Sequence, residues 1–359
     1  STGHPALAAR PSGIEPGPTC GRRWWQAEEQ AVLTSPAHLQ VERTSLRRFG
    51  RELMPLAYLA EALRGGASGG LVTISNVDGG TPKPLGTYMA VLSDGVHAGH
   101  ISGGCVEPAI AAEVAPLLAE GRDQIIRFGK DSCLMDIRFP CGGGVDLLVH
   151  ASPRLDLLDE ALSLAKQRKP FSIAFDLERS RAHIAEAGAA THWQDGVFWR
   201  RHLPRPRLVM IGRGPDFEVM ARVAAAAEFE LMLMTPDADS VAVLSNLDVP
   251  IERLESSARI PDVAIDPWTA VVLVFHEREW EAPVLTTAAS SSAFYVGALG
   301  SRRTHEHRRA QLALLGMPTS NIERIRGPIG LVDRARDPGT LALSVLAEIA
   351  AEWAAVERA

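Results

Sequence analysis

Cysteine is scarce in this chain, which has four among 359 residues: Cys20, Cys105, Cys133 and Cys141. They are too few and too scattered for a disulfide framework, and no pair has the CxxC or zinc-ribbon spacing of a structural zinc site. The scarcity predicts free thiols in a reducing cytoplasm.

An excess of positive charge and a long apolar run are also missing. The chain has 37 Lys and Arg against 43 Asp and Glu, a net charge of −6 and a pI near 6.0. This balance argues against binding to nucleic acid or an anionic membrane. No apolar run approaches the roughly 18–20 residues that span a bilayer, and no apolar region follows the twin-arginine pairs. We therefore expect small molecules and proteins as partners.

Length and composition predict two domains, since 359 residues with 46% hydrophobic residues allow each half its own core. Residues 1–45 have scattered prolines and little periodicity, which predicts a mostly disordered extension. For residues 46–203, the succession of apolar strands and amphipathic helices predicts an N-terminal α/β domain. Residues 204–359 alternate strands and helices, which predicts a Rossmann-like doubly wound parallel sheet.

In the first half, a turn that contains a cysteine lies between a hairpin and a helix. The tripeptide Ser93-Asp94-Gly95 joins the apolar runs YMAVL and VHAGHI, a hairpin signal. A helix begins near Pro108 and ends by Gly121. Periodicity also predicts strands LVTI and VDLLV, helices over 55–63 and 154–168, and a smaller α/β segment over 169–203.

The stretch SGGCVE, residues 102–107, allows two interpretations of Cys105. Unpaired N–H groups at the following helix start favour a thiolate, which suits a ligand-holding residue or a sulfur acceptor. Alternatively, Gly103 and Gly104 form a turn and Cys105 is a small buried residue. Glu107 either opposes the thiolate by its charge or carries a proton at the same site.

Two more loops of this half are candidates for binding. Cys141-Gly142-Gly143 precedes VDLLV, and a glycine turn lets backbone approach a ligand or offers N–H groups to an anion. Its alternative is a plain connecting loop. Lys83, in the stiff GGTPKPLG segment, is placed near an anion or is a solvated surface lysine.

The second half opens with a partial dinucleotide motif. Gly212 and Gly214 match the first two glycines of the fingerprint, but Phe217 stands in place of the third. Thr235-Pro236-Asp237 follows the next strand without an acid directly at the strand tip. The pattern predicts a Rossmann-like fold and leaves NAD(P) binding doubtful.

A further anion site is predicted at the carboxyl edge of the same sheet. Gly300-Ser301-Arg302-Arg303 follows the strand FYVGAL and opens a helix, so N–H groups, a hydroxyl and two guanidiniums are available for phosphate. His276 follows another strand and is expected to face the same crevice.

These motifs, in their order, resemble those of the xanthine dehydrogenase accessory (XdhC/CoxI) family. The similarity runs from about residue 55 to the C-terminus, and SGGCVE and GALGSRRT are its most specific parts. Ser102, Gly103, Gly104, Cys105 and Glu107 match the family's cysteine motif, and Cys141-Gly142-Gly143 its second one. Residues 300–303 and 327–330 match its C-terminal motifs.

The resemblance implies a molybdenum cofactor chaperone. Such a protein binds molybdopterin as cargo and protects it. It also supports sulfuration with a cysteine desulfurase and hands the cofactor to an apo molybdenum hydroxylase such as xanthine dehydrogenase or an aldehyde oxidoreductase. We expect a homodimer, for delivery to a dimeric client. Two other functions compete: an NAD(P)-dependent oxidoreductase on the C-terminal domain, and a cysteine enzyme with Cys105 as nucleophile and Glu107 or His100 as base.

Overall fold

The computed structural model describes residues 36–80, 83–104, 106–132, 142–188, 190–227, 229–257, 263–275 and 279–358. The chain divides into two compact units, one ending at Pro204 and the other beginning at Arg205.

The first unit begins with helix α1 (Pro36–Arg64), which is interrupted at Gly50 (φ 71°, ψ 176°). Residues 1–35 of the predicted extension lie outside the described residues, but the prediction is wrong for residues 36–45, which are helical. Val41 packs against the core of the unit, which gives this segment an apolar contact. Pro36 is tolerated there because a first-turn residue needs no N–H partner.

A five-stranded antiparallel sheet follows, with two helices beside it. Its strand order is β3-β2-β1-β5-β4. The elements are β1 (Gly69–Asp78), β2 (Tyr88–Leu92), β3 (His97–Ala98), α2 (Glu107–Leu118), β4 (Gln124–Gly129), β5 (Gly144–His150) and α3 (Leu155–Lys166). The predicted hairpin is confirmed: Leu92 donates to the Val96 carbonyl at 2.8 Å, and Gly95 has φ 86°.

Helices cover both faces of this sheet. One face packs under α2 through residues such as Val72 and Ile74, and the other under α1 and α3 through residues such as Leu71. A strand that is buried on both sides needs apolar residues at consecutive positions. This explains why LVTI shows no polar alternation.

Residues 171–202 form a second sheet, with strand order β7-β6-β9-β8, instead of the predicted α/β segment. Its strands are β6 (Phe171–Asp176), β7 (Arg181–Ala185), β8 (His192–Gln194) and β9 (Val197–His202). The described residues between Lys166 and Pro204 contain no helix. The turns use residues with positive φ, including Ser180 (φ 49°), Asp195 (φ 50°) and Gly196 (φ 78°).

The second unit is the predicted Rossmann fold. Its six parallel strands have the order β12-β11-β10-β13-β14-β15, which is the 3-2-1-4-5-6 order of dinucleotide-binding sheets. The elements are β10 (Arg207–Gly212), α4 (Gly214–Ala226), β11 (Glu230–Thr235), α5 (Ala238–Leu244), β12 (Ile251–Arg253), β13 (Thr269–Val274), α6 (Glu281–Ser290), β14 (Tyr295–Ala298), α7 (Arg302–Leu314), α8 (Thr319–Glu323), β15 (Ile325–Arg326) and α9 (Pro338–Arg358).

Helix α9 is long and apolar enough by length and composition to span a membrane. It nevertheless has a face in the core of the second unit, where Ala342, Val345 and Ile349 are fully buried. Of its apolar 18-residue window, 33% is buried in the protein.

Candidate functional site

The first sheet gathers three loops at one edge, which we call the loop edge. Antiparallel pairing places the carboxyl end of β1 beside the amino ends of β2 and β5. The carboxyl ends of β3 and β4 lie at the same edge, because each is antiparallel to its neighbour. Segments 79–87, 99–106 and 130–143 start there and contain Lys83, Cys105 and Cys141, respectively. The topology thus places the candidate loops of this domain at a common edge.

The cysteines and His276 lie outside the residues that the structure describes, so their roles stay predictions: Cys20, Cys105, Cys133 and Cys141. The described neighbours of Cys105 confirm its predicted setting. Val106 is the N-cap of α2, and Glu107 and Pro108 begin the helix. Cys105 therefore comes one residue before the cap.

The carboxylate of Glu107 holds the turn that contains Cys105. Its side chain is 2% exposed. It accepts hydrogen bonds from the Ser102 amide at 2.7 Å, from the Ser102 hydroxyl at 2.9 Å and from the Val106 amide at 3.2 Å. These donors lie on both sides of Cys105 in the chain. One carboxylate therefore closes the turn from Ser102 to Val106.

Glu107 is ionised in this setting. Burial acts to raise the pKa of Glu107. The hydrogen bonds from the Ser102 amide, from its own amide and from the Ser102 hydroxyl, together with the charge of His100, outweigh burial and lower the pKa below that of an ordinary glutamate. His100 lies further away, with its Nδ1 4.0 Å from Oε1 and its side chain half exposed. The geometry thus shows Glu107 as a charged acceptor that holds the turn, which is a poor arrangement for a proton carrier.

The two glycines of the cysteine motif leave open space. A Cβ at Gly103 or at Gly104 would have no described atom within 4 Å. Gly104 has φ 101°, which disfavours any side chain, whereas Gly103 has no such backbone restriction. No contact within the protein therefore requires residue 103 to be a glycine. A ligand is a candidate to occupy the open space beside it.

The glycines after Cys141 are used differently. A Cβ on Gly143 would collide with the carbonyl oxygen of Gly80 and lie 2.9 Å from that of Asp78. Gly142 is in a left-handed conformation (φ 70°) with open space around it. The close backbone approach predicted for this motif is thus made, at Gly143, by the protein's own chain.

A partly buried ionic network lies at the base of these loops. Arg127 donates to Asp78 and to Asp146 at 3.1 Å each, and to the Lys130 carbonyl at 3.0 Å. Asp146 also accepts from Asn76 at 3.0 Å. The sequence analysis missed this group. A carboxylate inside the apolar strand VDLLV was the signal, because a buried acid needs a charged or hydrogen-bonding partner.

In the second unit, the glycine turn after β10 is packed against and hydrogen-bonded to other residues of the same unit. A Cβ on Gly212 would collide with Val274, and Gly214 has φ 76°. The Gly214 amide donates to the Ser240 hydroxyl at 3.3 Å, and that hydroxyl lies 2.7 Å from a Glu218 carboxylate oxygen. Phe217, in place of the third glycine, is fully buried in the core.

Asp237 adds a second carboxylate to this turn. Its Oδ2 lies 3.0 Å from the Ser240 hydroxyl, and its Oδ1 accepts from the Asp239 amide at the start of α5. Those hydrogen bonds, the Asp239 amide first, lower the pKa of Asp237. Two carboxylates beside the amide that would face a pyrophosphate disfavour that ligand.

Gly300 and Ser301 lie where the sequence predicted, between β14 and α7. Ser301 caps α7 by accepting from the Thr304 amide at 3.2 Å. Arg302 and Arg303 are exposed in the first turn of the helix. This arrangement can hold an anion through helix N–H groups and two cations.

Behind this helix start, Arg308 forms a buried ion pair that sequence reasoning missed. Its Nε and Nη2 donate to Glu281 at 2.8 and 2.7 Å, and Nη2 donates to the Leu299 carbonyl at 2.7 Å. The side chains are 2% and 7% exposed. Glu281 neutralises the charge of Arg308. The bond from Arg308 to the Leu299 carbonyl fixes the turn before α7.

The described residues contain no group of three or more His, Asp or Glu side chains that could hold a metal ion.

Comparison with known proteins gives matches in both halves. The model of the XdhC and CoxI family matches residues 62–129, and that of the XdhC Rossmann domain matches residues 208–349. A Bacillus halodurans protein, whose crystal structure is described as that of a xanthine dehydrogenase, aligns with a TM-score of 0.65 at 19% identity. That alignment covers 83% of this chain and 95% of that one, and it supports the fold alone.

Curated relatives extend the match along most of the chain. The chain is 24% identical over 312 residues to a probable xanthine dehydrogenase subunit of Bacillus subtilis (strain 168), covering 78% of this chain and 91% of that one. It is 36% identical over 326 residues to the molybdenum cofactor insertion chaperone PaoD of Escherichia coli (strain K12), covering 91% of this chain and 92% of the relative. The protein therefore belongs to the XdhC and CoxI family.

Proposed function

We propose that this protein is a chaperone that binds molybdenum cofactor as cargo and delivers it to a molybdenum hydroxylase of the xanthine dehydrogenase or aldehyde oxidoreductase type. The observation that carries the proposal is the turn of residues 102–106, which Glu107 closes and which leaves open space at Gly103. The similarity to a molybdenum cofactor insertion chaperone over 91% of the chain supports the same function.

Cys105 is the proposed contact with the molybdenum end of the cargo. A thiolate is a soft ligand suited to molybdenum or to persulfide sulfur. The start of α2 favours the thiolate through its N–H groups, while the charge of Glu107 opposes it. Because Glu107 is occupied by Ser102 and Val106, its proposed role in cofactor binding is to shape the turn.

The other loop-edge residues complete the proposed pocket. Ser102, Gly103 and Gly104 give backbone access beside Cys105, and Cys141, Gly142 and Lys83 belong to neighbouring loops of the same edge. Lys83 supplies a cation for the anionic part of the cargo. Residues 46–203 would thus form the cargo-binding domain.

The Rossmann domain, residues 204–359, is proposed to hold a phosphate. Gly300, Ser301, Arg302 and Arg303 at the start of α7 are the proposed contacts, because their N–H groups, hydroxyl and guanidiniums suit an anion. The turn at Gly212 and Gly214 is the weaker candidate, since Glu218 and Asp237 lie beside it.

Sulfuration and assembly belong to the same proposal. A cysteine desulfurase would supply sulfur to the bound cofactor before transfer, and a homodimer would present cargo to a dimeric client. We place these steps in the cytoplasm, where free thiols persist.

The experiment is to purify the parent protein and Cys105→Ala from a molybdenum-replete host and to measure molybdopterin as its fluorescent oxidation product. Cys20→Ala is the matched control. The parent and the control should retain the pterin, and Cys105→Ala should retain none above background. The parent, added to apo molybdenum hydroxylase, should also restore its activity. A parent free of pterin would overturn the function, and equal retention by Cys105→Ala would overturn the role of the thiol.

A further inference from the structure

The loop of residues 79–87, which contains Lys83, is held at each end by a different arginine. At its start, Arg127 donates to Asp78, the last residue of β1, at 3.1 Å. At its other end, Arg200 donates through Nε to the Gly86 carbonyl at 2.8 Å. Arg127 lies on β4, whereas Arg200 lies on β9 of the second sheet. Both sheets of the first unit therefore contribute to fixing this loop.

Each arginine lies against a glycine that leaves room for it. A Cβ on Gly86 would collide with the Arg200 side chain, and a Cβ on Gly144 would lie 2.6 Å from Nη2 of Arg127. Gly86 also has φ 82°, so its conformation and its small size are both used. A glycine near the end of the Lys83 loop and the first residue of β5 thus leave room for the two guanidiniums.

Neither arginine is an unpaired cation. Arg200 donates to Glu52 at 2.7 Å and has a side chain 15% exposed, while Arg127 is paired with Asp78 and Asp146 and is 14% exposed. Their charges are compensated within the protein, so attraction of an anionic cargo is not their function. What distinguishes them is that each guanidinium makes several hydrogen bonds with fixed geometry.

Arg127 extends this control to the loop that carries Cys141. Its Nε donates to the carbonyl of Lys130, where segment 130–143 begins, and the Lys130 amide donates to the Gly143 carbonyl at 3.0 Å, where that segment ends. One side chain thus holds the start of the Lys83 loop and the base of the Cys141 loop.

We propose that Arg127 and Arg200 are positioning residues, a two-arginine clamp that holds the two ends of the Lys83 loop in the arrangement required to receive the anionic pterin cargo. The proposal rests on the proposed function, and it identifies residues outside the cysteine motif that determine affinity without touching the cargo. Arg200 makes the second sheet part of the binding apparatus.

The test uses the full chain and compares Arg200→Lys and Arg127→Lys with Arg179→Lys. Lysine keeps the charge but cannot reproduce several hydrogen bonds at once. Arg179 is the matched control, because it forms an exposed ion pair with Asp176 at 2.6 Å on the β6–β7 turn. The first measurement, without cargo, is hydrogen–deuterium exchange of the peptide that spans residues 79–87, where the Gly86 amide donates to the Ile74 carbonyl at 2.7 Å.

Both clamp variants should increase exchange in residues 79–87 by about tenfold, with the midpoint of unfolding close to that of the parent. The second measurement is the dissociation constant for molybdopterin, which should rise about tenfold in both clamp variants and stay constant in Arg179→Lys. Glu52→Gln removes the negative charge that pairs with Arg200. It should also increase exchange in residues 79–87 and raise the dissociation constant, each to a smaller extent.

Exchange in residues 79–87 equal to that of the parent would overturn the clamp, whatever the cargo. Faster exchange with unchanged molybdopterin affinity would overturn its role in binding. A parent that binds no molybdopterin would contradict the proposed function instead, and the exchange measurement would still decide whether the clamp orders the loop.

Discussion

The carboxylate of Glu107 lies 2.7 Å from the amide and 2.9 Å from the hydroxyl of Ser102, on the opposite side of Cys105 in the chain. The contact joins the first and last residues of the SGGCVE motif. Its spacing has a physical explanation, since a buried carboxylate needs several donors and a short turn provides them. Serine and glutamate at these positions form the frame in which Cys105 is placed.

Glu107→Gln should destabilise the first unit by about 2 kcal/mol, because one oxygen of the carboxylate becomes an NH₂ group that faces buried donors. The variant should also lower molybdopterin retention, as the turn around Cys105 loosens. Urea denaturation followed by tryptophan fluorescence measures the first effect. Glu120→Gln, at an exposed position, is the control. An equal loss of stability in the two variants would show that the Ser102 contacts contribute little.

The glycines of the two cysteine motifs should respond differently to alanine. Gly143→Ala should destabilise the protein by about 1–3 kcal/mol, because its Cβ collides with the Gly80 carbonyl. Gly103→Ala should change stability by less than about 0.5 kcal/mol, because no described atom lies within 4 Å of the added Cβ.

Gly103→Ala should nevertheless reduce molybdopterin binding, if the space above Gly103 belongs to the cargo. Gly66→Ala is a poor control because of its positive φ, so Gly65→Ala, whose Cβ makes ordinary contacts at 3.4 Å or more, is the better one. Stability and pterin content measured on the same samples separate the effects. Full pterin retention by Gly103→Ala would place the cargo elsewhere.

The Rossmann domain should bind NADH and NADPH weakly or not at all. Glu218 and Asp237 place negative charge beside the Gly214 amide, where a pyrophosphate would need an unopposed donor. Fluorescence titration of the parent up to millimolar nucleotide measures this directly. Glu218→Gln removes one charge and should raise any residual affinity, and Glu323→Gln, on α8, is the control. Micromolar binding by the parent would contradict this prediction and favour the competing oxidoreductase function.

Elements with strong local signals could be predicted from the sequence. The Asp94-Gly95 turn gave the hairpin, and alternation after Arg205 gave the parallel sheet. The same reasoning missed the hairpin of β8 and β9, whose turn is Asp195-Gly196, although both residues have the positive φ values of a type I′ turn. Treating 169–203 as α/β was therefore an error of interpretation, because the signal was present.

The loop edge depends on contacts that no local pattern reveals. Arg200 and Gly86 are 114 residues apart in the chain, and Arg127 and Asp78 are 49 apart. A solvated arginine and a clamping arginine look the same in one sequence. The role of Gly143 could not be predicted either. A glycine that makes room for a neighbouring backbone segment looks the same in the sequence as one that makes room for a ligand.

A buried histidine gives the last prediction, on pH. His202 is 1% exposed, with Nδ1 3.0 Å from Glu52 and Nε2 2.9 Å from the Tyr88 hydroxyl. Since Glu52 only accepts when ionised, Nδ1 carries the proton and Tyr88 donates to Nε2. Burial first, and then the charge of Arg200, lower the pKa of His202 from 6.5 to about 4, although Glu52 acts in the opposite direction.

Between pH 6.5 and about 4 the unfolded chain binds a proton at His202 that the folded protein does not. The free energy of unfolding should therefore fall as the pH falls through this range, by up to about 3 kcal/mol from this residue. His202→Gln, which can still donate to Glu52 and accept from Tyr88, should show a shallower fall. Urea denaturation at several pH values between 7 and 4.5 measures the difference between variant and parent, which removes contributions common to both. His183→Gln, at an exposed position, should keep the parent's slope. A His202→Gln slope equal to the parent's would mean that folding does not lower the pKa of His202.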